Sequence, residues 1–126
     1  MNLFYIAPYS KDKDFFAKFS TLEKVCSEYD VKIFKGVLSN GNFNLEKTLK
    51  LYKKADFFIA DLSYERPSCY YELGFAQALQ KEVFLIAQKN TDIHQAIGRN
   101  EVAFFQNIKE YEEIINQILQ KIPLEV

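Results

Sequence analysis

The chain is predicted to fold as an α/β domain, a five-stranded doubly wound parallel sheet with helices on both faces. Three observations carry that expectation. Short apolar runs alternate with helically spaced segments from end to end, the runs lack the polar alternation of strands with one wet face, and 126 residues suffice for one core but not two. Strand and helix in strict alternation imply right-handed crossovers and parallel strands.

Leu3 to Ala7 is a continuous apolar run ended by Pro8, and Phe15, Phe16, Phe19, Leu22 and Val25 follow at helical spacing, which makes them core or interface residues. Val31 to Phe34 reads as a short second strand. The patch Ser39 to Asn44, rich in Asn and Gly, suits a loop ending in a helix N-cap, with a helix through Leu45, Leu49 and Tyr52. The clearest strand, Ala55 to Ala60 (ADFFIA), is expected at the centre of the sheet. A helix from about Cys69 to Gln80 comes next, then strands at Val83 to Ala87 and Val102 to Phe105. A closing helix marked by Tyr111, Ile114, Ile115, Ile118 and Leu119 stops before Pro123. Residues 1–126 thus read as a single domain of the flavodoxin-like size class. Such sheets bind ligands beyond the carboxyl ends of their strands, where strand order reverses, here in the loops that begin at Ala7 and Asp61.

Composition narrows the function. A formal charge of −1 and a pI near 5.9 give no electrostatic reason to bind nucleic acid. Two cysteines and one histidine, His94, are too few for a disulfide framework or a structural zinc site, and they suit a reducing cytoplasm. The opening MNLFYIAPYS turns polar too soon for a signal peptide, and no apolar run reaches membrane-spanning length. The expectation is a soluble cytoplasmic protein that needs no metal or cofactor and has neither nucleic acid nor membrane as partner.

The stretch PSCYYELGFA carries the chemistry. Traced backwards, the sheet-facing stripe of its helix runs Leu79, Phe75 or Ala76, then Glu72, so a carboxylate ends an apolar stripe at the ligand-binding edge. The bland reading is an acid favoured by the helix dipole. Gly74 would let this helix approach its neighbours closely. Ser68, after Pro67, is an expected N-cap, beside backbone N–H groups suited to an anion. Asp61 ends the ADFFIA strand near Glu72 and would divide acid and nucleophile roles with it, unless it only organises its own loop through an Asx turn near Ser63. Cys69 has no recognisable basic partner and is a weak nucleophile candidate. His94 belongs either to the pocket mouth or to an ordinary loop.

The run ADFFIADLSYERPSCYYELGFAQALQKEVFLIA resembles the core of the nucleoside 2-deoxyribosyltransferase-like proteins, and FYIAPYS resembles their first strand and substrate loop. The resemblance implies that Glu72 is the nucleophile, that Asp61 handles the base, and that Tyr5, with Tyr9 as the lesser match, positions sugar and nucleophile. It places the substrate loop on Ala7, Pro8, Tyr9 and Ser10. Ser68 is similar to the phosphate-contacting serine of the deoxynucleoside 5′-monophosphate N-glycosidases, and Ser10 would add a contact, although the loop is not the glycine-rich version of some members. The implied activity is N-glycosidic bond cleavage or transfer on a deoxynucleoside or its 5′-monophosphate, in a homo-oligomer. A TIR-like nucleotide or NAD glycohydrolase and a non-catalytic nucleotide-binding module stand as alternatives.

Overall fold

A computed structural model describes residues 1–93 and 101–122, so His94 lies outside the described residues. In chain order the elements are β1 (Asn2–Ile6), α1 (Phe15–Glu28), β2 (Lys32–Phe34), β3 (Leu38–Ser39), β4 (Asn42–Phe43), α2 (Leu45–Lys54), β5 (Phe57–Asp61), α3 (Pro67–Ala78), β6 (Glu82–Gln88), β7 (Val102–Phe105) and α4 (Ile108–Lys121). The main sheet has the order β2-β1-β5-β6-β7 with every pair parallel. This is the doubly wound, flavodoxin-like arrangement, and strand order reverses between β1 and β5. No helix among the described residues is long and apolar enough to cross a membrane.

Side chains alternate along each strand and so divide the core in two. Leu3 and Tyr5 of β1 and Phe57 and Ile59 of β5 pack with Leu22 and Val25 of α1 and Ile115 and Leu119 of α4. Phe4 and Ile6, with Phe58 and Ala60, pack on the other face against Tyr52 of α2 and Cys69, Leu73 and Ala76 of α3. Of the three neighbouring phenylalanines of α1, Phe15 is buried and Phe19 partly so, whereas Phe16 is 81% exposed.

Local chemistry explains the element ends. The Asn44 side chain accepts from the Lys47 N–H at 2.9 Å and caps α2 as expected. The patch before it is a small hairpin, in which Asn40 (φ 53°) and Gly41 (φ 79°) join β3 to β4 in the left-handed region that a two-residue turn requires. At the other end of α2, Ala55 donates its N–H to the Leu51 carbonyl and is still bound to the helix, and β5 runs from Phe57 through Asp61. Helix α3 starts earlier than expected because Pro67 suits the first helical position, where no N–H is needed. Its N-cap is therefore Arg66, without a side-chain cap bond, and Ser68 sits inside the helix instead of capping it.

The close-approach reading of Gly74 does not hold. The residue is exposed, and a Cβ added there would meet nothing within 4 Å. With no contact to lose and a helical backbone to stiffen, Gly74→Ala is predicted to stabilise the protein by about 0.5–1 kcal/mol. A thermal melt should show a midpoint higher by a few degrees.

Candidate active site

At the carboxyl edge of the sheet, where β1 and β5 part, lies a cavity of about 660 Å³, a size typical of small-molecule sites. The loop after β1 lines it with Ala7, Pro8, Tyr9, Ser10 and Lys11. Lys35 and Gly36, after β2, and Leu38, Gly41 and Phe43 of the hairpin form a second wall. The start of α3 closes it with Arg66, Ser68, Tyr71 and Glu72.

Glu72 shares the buried face of α3 with Cys69, Leu73 and Ala76 and is itself only 7% exposed. The apolar stripe thus ends in a carboxylate that meets the cavity, as the helical spacing predicts. Tyr52, wholly buried near the end of α2, donates its hydroxyl to Glu72 Oε1 at 2.8 Å. Burial pushes the Glu72 carboxyl up to about 6, and the Tyr52 hydrogen bond works against that rise. Gly36 faces the same oxygen: an added Cβ would lie 3.5 Å from Glu72 Oε1 and 3.2 Å from a Phe43 ring carbon. Here a missing side chain does leave room, directly in front of the carboxylate.

The cavity gathers Glu72, Ala7, Pro8, Tyr9, Ser10 and Ser68 but not Asp61, Tyr5 or Gly74. Asp61 and Tyr5 occupy strand positions that face α1 and α4, away from α3. Asp61 is fully buried, accepts from Lys18 Nζ at 2.6 Å and takes the Ser63 N–H on its other oxygen at 3.0 Å. The second bond is the Asx turn of the bland reading. Lys18 also pairs with Asp12; burial opposes its charge, but the two carboxylates raise its pKa. Tyr5 is bonded to the Tyr111 hydroxyl at 2.9 Å on that same face. Tyr9 does reach the cavity, with its hydroxyl committed to the Tyr5 carbonyl at 3.0 Å.

Cys69 is pushed up to about 12, chiefly by burial and then by the Glu72 and Asp61 charges, so it stays a thiol and is no nucleophile near neutral pH. Among the described residues no group of three or more His, Cys, Asp or Glu side chains is placed to hold a metal ion. Tyr52, Gly36, Lys35 and Arg66 belong to the site without being marked by any motif. A signal for Tyr52 was present, because it carries a polar tip at the end of the Leu45, Leu49, Tyr52 stripe. The others depend on the path of loops.

Among the described residues the lining carries Lys11, Lys35 and Arg66 against Glu72 as its one acid. Lys35 Nζ also lies 4.5 Å from the centre of the Phe19 ring. At the mouth, Phe43 meets Tyr71 edge to face at 6.5 Å between ring centres. The arrangement offers a nearly dry carboxylate, a cationic rim and an aromatic wall.

Because the folded pKa of Glu72, about 6, lies above its ordinary 4.5, the fold retains a proton that the unfolded chain releases. Stability should therefore fall as pH rises through that interval, by about 2 kcal/mol in total. Glu72→Gln should recover most of that loss at pH 8 and little at pH 4, as read from denaturant midpoints at the two pH values.

No family model and no curated protein sequence matches the chain. Solved structures do. A 2-deoxyribosyltransferase from Bacillus psychrosaccharolyticus is similar with a TM-score of 0.68 at 19% identity, covering 94% of this chain and 96% of that one. A CMP N-glycosidase from Clostridium botulinum is similar with a TM-score of 0.68 at 18% identity, covering 93% of this chain and 99% of that one. The constitutive lysine decarboxylase of E. coli also matches, with a TM-score of 0.56 at 16% identity, over 95% of this chain but 17% of the decarboxylase. The fold thus also occurs as a small part of a larger enzyme of different chemistry, and likeness of fold does not by itself give activity. What these likenesses establish is architecture: the chain carries the α/β fold shared by the 2-deoxyribosyltransferase and the CMP N-glycosidase.

Proposed function

We propose that the protein cleaves or exchanges the N-glycosidic bond of a 2′-deoxynucleoside or its 5′-monophosphate, with Glu72 as nucleophile. The observation that carries this reading is the placement of Glu72: a carboxylate 7% exposed, in a cavity of about 660 Å³ beyond the carboxyl ends of β1 and β5. Its fold likeness to a deoxyribosyltransferase and a CMP N-glycosidase supports the same reading.

In the first step a Glu72 oxygen bonds to the anomeric carbon as the carbon–nitrogen bond breaks. The bonding pair leaves with the base, which takes up a proton from solvent, and a glycosyl ester of Glu72 remains. Attack by water releases the free sugar and regenerates the carboxylate, whereas attack by a second base gives a new nucleoside. Asp61 receives no role in this scheme, since its oxygens are engaged by Lys18 and the Ser63 N–H.

Lys11, Arg66 and Lys35 on the rim favour the phosphorylated substrate, and Ser10 and Ser68 line the same cavity as further donors. Phe43 and Tyr71 provide apolar surface for a base. The exposed Leu38 beside them suits self-association of a cytoplasmic homo-oligomer, with a second copy covering the mouth.

The test is to incubate the protein with deoxynucleosides, their 5′-monophosphates, ribonucleotides and NAD, with and without a free base, and follow base release and exchange by chromatography. Deoxynucleoside 5′-monophosphates should be consumed fastest, and Glu72→Ala should lower the rate by about a thousandfold or more. Base release from NAD alone would replace this reading with a NAD glycohydrolase. No turnover of any compound by folded protein would leave a binding module.

A further inference from the structure

Glu72 must be held, and the residue that holds it comes from an unexpected part of the chain. The tyrosine of the first strand has its side chain on the far face of the sheet, where the Tyr5 and Tyr111 hydroxyls satisfy one another at 2.9 Å. Tyr9, the next aromatic along, spends its hydroxyl on the Tyr5 carbonyl. Tyr52 instead reaches the carboxylate from α2, with its hydroxyl 2.8 Å from Glu72 Oε1.

The Tyr52 ring has little freedom. It meets Phe4 edge to face at 4.7 Å, stacks on Phe75 at 5.9 Å and tilts against Phe58 at 5.7 Å between ring centres. Phe4 and Phe58 belong to adjacent central strands, and Phe75 stands one turn beyond Glu72 on the same helix. The sheet and α3 therefore grip the ring between them, and its single polar atom is aimed at a single oxygen. A hydroxyl fixed in this way loses little entropy on making its bond and resists turning towards water.

Resting on the reading of Glu72 as nucleophile, we propose that Tyr52 is its positioning residue: it pins Oε1, fixes the orientation of the carboxylate at the cavity, and favours the ionised form. The role assigned by resemblance to the first strand thus passes to the second helix. Tyr52 does not touch the substrate in this scheme; it acts through Glu72.

Charge bookkeeping around Glu72 isolates the effect. Tyr9, from the loop after β1, and Cys69, on the same helix, both have raised pKa values, chiefly through burial, and stay neutral at pH 7. Lys11, Lys35 and Arg66 face the cavity from three separate segments, and Tyr71 flanks it on α3. Loss of the Tyr52 hydroxyl is then the one change expected to move the carboxyl further upward, because that bond stabilises the charged form.

The experiment measures the titration of the Glu72 side chain by carbon NMR in protein labelled at glutamate carboxyl carbons, with its signal assigned by its loss in Glu72→Gln. Tyr52→Phe retains the packed ring and removes only the hydroxyl. It should raise the Glu72 midpoint by about one pH unit, move the acid limb of kcat/KM upward by the same amount, and lower kcat/KM at pH 7 by about tenfold. Raising the pH should restore part of that loss, which a merely structural defect would not allow. Tyr5→Phe, on the far face, should leave the Glu72 midpoint where it is. An unchanged midpoint in Tyr52→Phe, or a shift in Tyr5→Phe, would overturn the proposal. The carboxyl titration needs no substrate, so it decides the role of Tyr52 even if the wild-type protein turns nothing over.

Discussion

Keeping a carboxylate out of water at the end of an apolar helical stripe is the constraint on which the site depends. An isolated carboxylate in that place would take up a proton, because burial disfavours its charged form. Tyr52 opposes this with one short hydrogen bond, and burial still prevails enough to push Glu72 to about 6. The group is thus ionised near neutral pH and weakly solvated, a combination that suits attack on an electron-poor carbon. Nothing in the folding of α3 requires an acid here. The stability that Glu72 forfeits above pH 6 is consistent with a residue retained for its chemistry.

The two faces of the sheet solve different problems. Towards α1 and α4, Asp61, Lys18 and Asp12 form a buried ionic cluster, and Tyr5 and Tyr111 a buried hydroxyl pair. These bonds satisfy polar groups that would otherwise be costly to bury, and they tie α1 and α4 to the strand ends. Towards α2 and α3 the packed cluster is apolar, Thr48 of α2 accepts the Val37 N–H, and the polar atoms of Glu72 and Tyr52 meet at the cavity edge. The loops after β1 and β5 lie where strand order reverses, so they part and leave space for a ligand.

Much of this was legible in the sequence. The apolar runs identified all five strands of the sheet, and helical spacing alone placed Glu72 on the buried face of α3. Asn44 was recognisable as a cap, although the hairpin before it read as a loop because two-residue strands leave no periodic trace. What failed was parity. Asp61 and Tyr5 sit at the right height in the sheet, but a residue at a strand end points to one face only, and the sequence does not say which helix covers which face. Phe57, Ile59 and Asp61 alternate with Phe58, Ala60 and Leu62, so the error was one of side, not of element. Gly36 and Arg66 escaped notice because their importance comes from how loops approach Glu72, and loop paths are weakly encoded in residue pattern.

Covalent attachment of sugar to Glu72 is the event that separates a nucleophile from a merely buried acid. Fluorine at C2′, in the arabino configuration of a deoxynucleoside 5′-monophosphate analogue, disfavours the electron-poor sugar carbon in both steps; excess reagent drives formation of the glycosyl ester while its hydrolysis stays slow, so the ester accumulates. Peptide mass spectrometry after incubation should find the fluorosugar phosphate attached to the peptide that contains Glu72, and no such adduct in Glu72→Gln. Base release without any adduct at Glu72, or an adduct on another residue, would contradict the account.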